Sequence, residues 1–241
     1  MITNSSKDHI YIGRGAGKEL KEELNKAKKN IKIVSPYLTP SYIEELIALS
    51  NKGIKITLIT SNEIKQGNGN HSSFTHTDLI KQEIHINEEE RDLRKKGMKY
   101  SFFTFIFTLI FFFLRSLFLF WVSFIITGII FYHFYNKKIY TYSYYSPINL
   151  KVVPDEYHDK ENGKYFIHSK IYVIDEKIAY LGSVNYTYKA FKSNYETRIK
   201  VSSQKAVLDI SKEVDTLFNN KEIGSIDINE WGKELYSEPR H

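Results

Sequence analysis

Residues 101–135, SFFTFIFTLIFFFLRSLFLFWVSFIITGIIFYHFY, carry one charge, Arg115, and no proline. Soluble cores rarely use more than about 18 uninterrupted apolar residues, so this length reads as membrane-inserted rather than as a buried core helix. The run constrains everything around it. Globular patterning occurs both before and after it, and two halves of one domain must lie on the same side of a bilayer. One crossing would separate them. An even number of crossings or a re-entrant hairpin is therefore expected, turning at Leu114-Arg115-Ser116. The arms are about 14 and 17 residues, roughly 21 and 25 Å at 1.5 Å per residue. Against a hydrocarbon core of about 30 Å they are short. Two crossings, with local thinning and Arg115 reaching the far interface, are the preferred reading.

The remaining chain reads as alternating strands and helices. Residues 1–64 hold a strand at IYI, a charged helix GKELKEELNKAKKN, an apolar strand IKIVSPYL, a helix PSYIEELIALSNKG and a strand IKITLIT. Pro40 near the start and Gly53 at the end of the second helix follow the usual asymmetry. Strand, helix, strand with short connections predicts a βαβ unit with parallel strands. Residues 65–100 are a loop and a charged linker read as a solvated helix. Residues 136–147, with IYTYSYYSPI, read as an interfacial aromatic belt. Residues 148–219 return to strands at INLKVVP, KYFIHSKIYVID, KIAYLGSVN and YETRIKVS, closed by the helix KAVLDISKEVDTLFNN. Residues 220–241 are a polar tail. The implied fold class is α/β, a mixed sheet flanked by helices and interrupted by an inserted transmembrane helical hairpin.

The chemistry concentrates in HSKIYVIDEKIAYLGSVNYTYKAFKSNYE, residues 168–196. The strand period of two puts His168, Lys170 and Tyr172 on one face and Asp175 on the other. Ser183 and Asn185 share a face at the end of the next strand, where Gly182 permits close backbone approach. An imidazole, a cation, a hydroxyl and an amide converging on one spot suit a tetrahedral anion. Neutral His168 can attack phosphorus, and a covalent phosphohistidine divides one hard displacement into two easier ones. The leaving oxygen then needs a proton, best supplied by a second histidine. Lysine and asparagine can stabilise the non-bridging oxygens, a task metal ions perform elsewhere. No acidic cluster of metal-site type lies nearby, so metal independence is expected, with no cofactor.

His-x-Lys-x4-Asp followed by Gly-Ser-x-Asn, with Glu196 beyond, resembles the phospholipase D superfamily. IKIVSPYLTPSYIEELIALSNKGIKITLIT resembles the first βαβ unit of that family. The likeness covers roughly residues 10–64 and 148–219. It implies that His168 is nucleophile or general acid, that Lys170, Ser183 and Asn185 bind phosphate, and that Glu196 orients an imidazole. Asp175, on the opposite strand face, is read as structural, fixing the turn to the next strand. The chain has one such motif: HDKENGKY carries His158 and Lys160 but Tyr165 where the aspartate belongs. Single-motif members of the family pool two copies, so a homodimer sharing one active site is implied.

Several features bear on partners. The formal charge of +6 over 241 residues suits an anionic membrane face or nucleic acid. Basic flanks on both sides of the oily run, RDLRKKGMK and NKK, predict a catalytic domain on the cytoplasmic face. The N-terminus has no apolar stretch of signal-peptide type. Without cysteine, disulfides, zinc-thiolate sites and thiol nucleophiles are excluded. GRGAGKE lacks the spacing of a phosphate loop. His71 and His76 lack a set of further metal ligands. The expected activity is a membrane-embedded phosphodiesterase, with phospholipid slightly favoured over nucleic acid. The competing readings are a membrane-tethered endonuclease and a non-catalytic phosphate-binding membrane protein.

Overall fold

The computed structural model describes residues 9–61, 79–154, 158–159, 163–164 and 167–241. His71, His76, Lys160 and Tyr165 lie outside these residues. The chain divides into two compact units, one of residues 1–81 with 145–231 and one of 82–144 with 232–241.

The first unit is built on a seven-stranded mixed sheet in the order β1-β11-β10-β9-β2-β3-β6. The strands are β1 (His9–Arg14), β2 (Asn30–Val34), β3 (Lys55–Ser61), β6 (Asn149–Val153), β9 (Ile171–Ile174), β10 (Ile178–Gly182) and β11 (Tyr195–Val201). β2, β3 and β6 run parallel, while β9, β10, β11 and β1 pair antiparallel. The helix α2 (Pro40–Asn51) joins β2 to β3, with Pro40 in its first turn and Gly53 just beyond its end at φ +90°. Three residues, Asp175-Glu176-Lys177, turn β9 into β10, and Asp175 and Glu176 both take positive φ. Two residue pairs, β7 (His158–Asp159) and β8 (Gly163–Lys164), form a small antiparallel ribbon.

Alternation decides which helix each face meets. α6 (Gln204–Asn219) covers the face of Val34, Ile59, Val153, Val173 and Ala179 through its buried Val207 and Val214. Two lysines on this face are buried because α6 supplies acceptors. Lys32 Nζ reaches Asp215 at 2.6 Å and Ser211 at 2.7 Å. Lys151 Nζ donates to the carbonyls of Leu217, Phe218 and Asn220, the negative end of the α6 dipole. The opposite face carries Tyr172 and the rings of Tyr42, Tyr186 and Phe191, with Tyr42 and Phe191 centroids 5.1 Å apart. α1 (Gly17–Asn25) and α5 (Tyr188–Lys192) meet where Gly17 lies against Phe191, leaving no room for a Cβ.

The strands IKIVSPYL and KYFIHSKIYVID are shorter than the sequence suggests. β2 stops at Val34 because Pro36 cannot donate to a ladder. β9 loses its neighbour there, since Val34 pairs with Ile171, and so begins only at Ile171. His168 and Lys170 therefore precede the strand.

In the second unit, β4 (Lys81–Ile86) pairs with β5 (Tyr140–Tyr145), α3 spans Glu88–Phe113 and α4 spans Leu117–Tyr135. Residues 81–86 of the segment read as a solvated helix are thus a strand. Its residues from Glu88 onward are continuous with the oily run in one helix of 26 residues. α3 and α4 lie antiparallel. Gly97 meets the Phe134 ring, and the hydroxyls of Thr108 and Thr127 stand 3.4 Å apart. Gly97, Ser101 and Thr108 form the buried stripe of α3, whereas most of its large apolar side chains are exposed. α4, at 19 residues, is about 28 Å long and close to the thickness of a hydrocarbon core. The tail that the sequence left without structure carries α7 (Ile228–Leu235) and then runs along this unit. The Arg240 carbonyl accepts the Ile139 N–H at 2.9 Å, and Tyr142 donates to the Pro239 carbonyl at 2.6 Å.

Candidate active site

The motif residues gather at one edge of the large sheet: the N-terminal end of β9, the C-terminal ends of β10 and β1, and the start of β11. β2 and β3 also end there, as their register with β9 requires. This is the carboxyl edge of the parallel strands, where ligand crevices form in α/β sheets.

Glu196 is the ordering centre. It is 9 % exposed and sits opposite Gly13 of β1. Its Oε2 accepts the Ser183 hydroxyl, and its Oε1 accepts the Asn194 amide at 3.2 Å. Ser183 is fixed in turn: its Oγ accepts the Thr197 N–H at 3.0 Å, and its own N–H donates to the Thr197 carbonyl at 2.9 Å. Gly182 makes this closeness possible. At φ +152° a Cβ would overlap the Thr197 carbonyl oxygen. Asn194, which the sequence reading passed over, thus holds the second carboxylate oxygen. Its spacing of two residues before Glu196 was the available signal.

Lys170 is buried, and its Nζ donates to the His168 carbonyl at 2.6 Å. Burial pushes the Lys170 ammonium down from the ordinary lysine range, and the nearby Glu196 charge partly offsets this. The cation therefore lies within electrostatic reach of the carboxylate that Ser183 and Asn194 hold. His168, two residues earlier, is exposed.

Asn185 is positioned by its neighbours. The loop after β2 is zipped to the loop after β10: Ser35 Oγ accepts the Tyr186 N–H at 2.9 Å, and Thr39 N–H donates to the Tyr186 carbonyl at 3.1 Å. Beneath them Tyr172 donates to the Val184 carbonyl at 2.7 Å. Asn185 Oδ1 is buried with no partner among the described residues.

Asp175 stands at the other end of β9. Its carboxylate accepts the backbone N–H groups of Lys28, Lys29 and Asn30, at 2.7 Å for Lys29. Burial alone would raise this carboxyl, but the three N–H donors and Lys177 hold it below the usual range. Asp175 ties the β9–β10 turn to the start of β2, away from the other motif residues. No group of three or more histidines and carboxylates able to hold a metal occurs among the described residues.

An accessible imidazole, a buried ammonium and an ordered carboxylate thus stand at one strand edge. The family described as "Cardiolipin synthase, PLD-like domain" matches residues 20–112 and 125–221, and the chain belongs to it. Among solved structures, the chain is similar to NucT from Helicobacter pylori at 18% identity and a TM-score of 0.48, covering 91% of this chain and 99% of that one. It is similar to Nuc, a phospholipase D family member from Salmonella typhimurium, at 12% identity and a TM-score of 0.43, covering 91% and 99%. It is also similar to phosphatidylserine synthase from Haemophilus influenzae Rd KW20, at 13% identity and a TM-score of 0.46, covering 98% of this chain and 43% of that one. No curated protein matches the sequence.

Proposed function

We propose that this chain is a membrane-embedded phosphodiesterase that works through a phosphohistidine at His168, with phospholipid as the favoured substrate. The observation that carries the reading is the cluster of buried Lys170, hydrogen-bonded Glu196 and Ser183 beside the exposed His168 segment. In the first step a neutral His168 nitrogen attacks phosphorus, a P–N bond forms and the P–O bond to the leaving alcohol breaks. A second histidine gives that oxygen its proton. In the second step the same histidine takes a proton from water, the water oxygen bonds phosphorus and the P–N bond breaks. Lys170 and Asn185 stabilise the non-bridging oxygens, and no metal ion is required. Ser183 joins them when its hydroxyl turns from Glu196 to the phosphate. Glu196 orients an imidazole, and Asp175 serves the fold.

The second histidine comes from His168 of another copy, so the working unit is a homodimer with one shared cleft. A dimer-defective variant that kept full activity would contradict this. α3 and α4 anchor the chain in the bilayer, and the basic residues at their base keep the catalytic unit on the cytoplasmic face. The exposed apolar side chains of both helices favour lipid as the substrate at hand.

A membrane-tethered endonuclease is the second reading. It is favoured by exposed Lys189, Lys192 and Tyr188 on α5, which begins three residues beyond Asn185 and suits a polyanion with stacking bases. Detergent-solubilised wild type and His168→Ala, incubated in EDTA with phospholipid micelles and with single- and double-stranded nucleic acid, separate the two. Headgroup release by wild type alone supports the lipase. Nucleic-acid cleavage alone supports the nuclease. A confirmed dimer inactive on both returns the chain to the phosphate-binding reading.

A further inference from the structure

α3 changes chemistry along its length. Glu88, Glu89 and Glu90 occupy its first turn, at the positive end of the helix dipole. Asp92 is the last carboxylate before Asp155. Arg94, Lys95, Lys96 and Lys99 follow, and the apolar run begins at Ser101.

Two cations near this boundary are engaged inside the unit. The Arg94 guanidinium lies 5.4 Å from the centre of the Tyr135 ring, and Lys137 pairs with Glu90 at 2.9 Å. Lys95, Lys96 and Lys99 differ. Spacings of three and four residues put Lys99 next to both of the others on the helix surface. All three are exposed. The nearest paired carboxylate among the described residues is Asp92, 3.8 Å from Lys95, and both side chains are largely in solvent. Such a pair contributes little.

The same stripe continues into hydrocarbon. Phe102 and Phe103 follow Lys99 at three and four residues and are 62% and 58% exposed. Met98, Lys99, Phe102 and Phe103 line a shallow, open surface depression. This face is not the one that packs on α4, which is the stripe of Gly97, Ser101 and Thr108. Three ammonium groups on adjacent turns repel one another until an anion lies between them. A soluble anion would leave the two rings in water, and a hydrocarbon chain would leave the charges unmatched. An amphiphile with an anionic head satisfies both.

We propose that the Lys95, Lys96, Lys99, Phe102 and Phe103 stripe is a binding site for an anionic phospholipid. Its phosphate lies against the three ammonium groups and an acyl chain runs along the two rings. The inference rests on the reading of α3 and α4 as membrane-inserted. Lys99 stands about 3 Å outside Ser101 at 1.5 Å per residue, inside the headgroup layer, whereas Lys95, about 9 Å out, lies at that layer's aqueous margin. The headgroup layer occupies about 5–7 Å beyond each face of the hydrocarbon core.

The test is native mass spectrometry of the full chain released from micelles holding equimolar phosphatidylglycerol and phosphatidylcholine. Wild type is expected to retain phosphatidylglycerol preferentially by up to about a hundredfold, given roughly fivefold for each of the three lysines at a membrane surface. K95Q/K96Q/K99Q loses most of that preference, and K95R/K96R/K99R keeps it. Equal retention of the two lipids by wild type, or undiminished selectivity in the glutamine variant, overturns the site. Flotation with vesicles of phosphatidylcholine alone separates the two levels. A chain that floats without selectivity overturns the lipid site only, and one that does not float overturns membrane insertion with it.

Discussion

Ser183 and Glu196 are joined at the end of the β10–β11 pair from which the α5 connection leaves: the serine hydroxyl donates to the carboxylate while accepting the Thr197 N–H. The carboxylate is thus set by its own strand pair before any substrate arrives. Its other oxygen is held by Asn194 alone among the hydrogen bonds described.

Asn194→Ala leaves Glu196 half-held. The expected result is a roughly tenfold fall in kcat with KM nearly unchanged, corresponding to about 1.4 kcal/mol of lost transition-state stabilisation. Because Asn194 is exposed, thermal stability should change little. Steady-state kinetics beside a melting curve checks both halves. Equal kcat in the two proteins would remove Asn194 from the site.

Lys170 is expected to set the alkaline limb of activity. Burial lowers its ammonium from the ordinary range. Activity that needs the charged form is lost as pH rises through that lowered value, below the approximately 10.4 of a free lysine. Lys170→Arg, which stays protonated, is expected to be slower but to lose this limb. A pH profile of kcat/KM for the two proteins tests it.

Asp175 governs acid stability. Its folded carboxyl is held below the unfolded value, so its contribution is complete above about pH 4 and falls away as pH drops through the folded value. Asp175→Ala strands three backbone N–H groups and should cost about 2–3 kcal/mol at neutral pH. Urea denaturation at several pH values should show wild type converging on the variant in acid. Parallel curves would refute the linkage.

Gly182→Ala places a methyl on the Thr197 carbonyl. The expected loss exceeds about 3 kcal/mol and is accompanied by inactivity, because Ser183 moves with it. Gly53→Ala is the control. It has positive φ but open space around it, and should cost only about 1–2 kcal/mol of backbone strain.

Much of the first unit could be read from the sequence because its signals are local. Pro40 and Gly53 bracket α2, apolar runs mark β2 and β3, and Asp175-Glu176-Lys177 marks a turn. Pro36 was visible too, yet its consequence for β9 was not, since that depends on Val34 pairing with Ile171, 137 positions away. β4 was hidden because KQEIHI is largely exposed and its partner β5 looks like an aromatic belt. The continuity of α3 was masked by its change from charge to hydrocarbon. The tail was illegible because its key bonds use backbone carbonyls at Pro239 and Arg240, which leave no side-chain pattern. Within the site, the residue types of the motif were legible. The burial of Lys170 and the grip of Asn194 were not, as both depend on packing around the strand ends.

The most direct test is to trap the intermediate. Wild-type protein mixed with phospholipid substrate is quenched in alkali, where a phosphohistidine survives, and its peptides are examined by mass spectrometry. The account predicts a phosphatidyl or phosphoryl adduct on His168 that accumulates with turnover and is absent from His168→Ala. Continued turnover with no adduct on His168, or an adduct on another side chain, would contradict it.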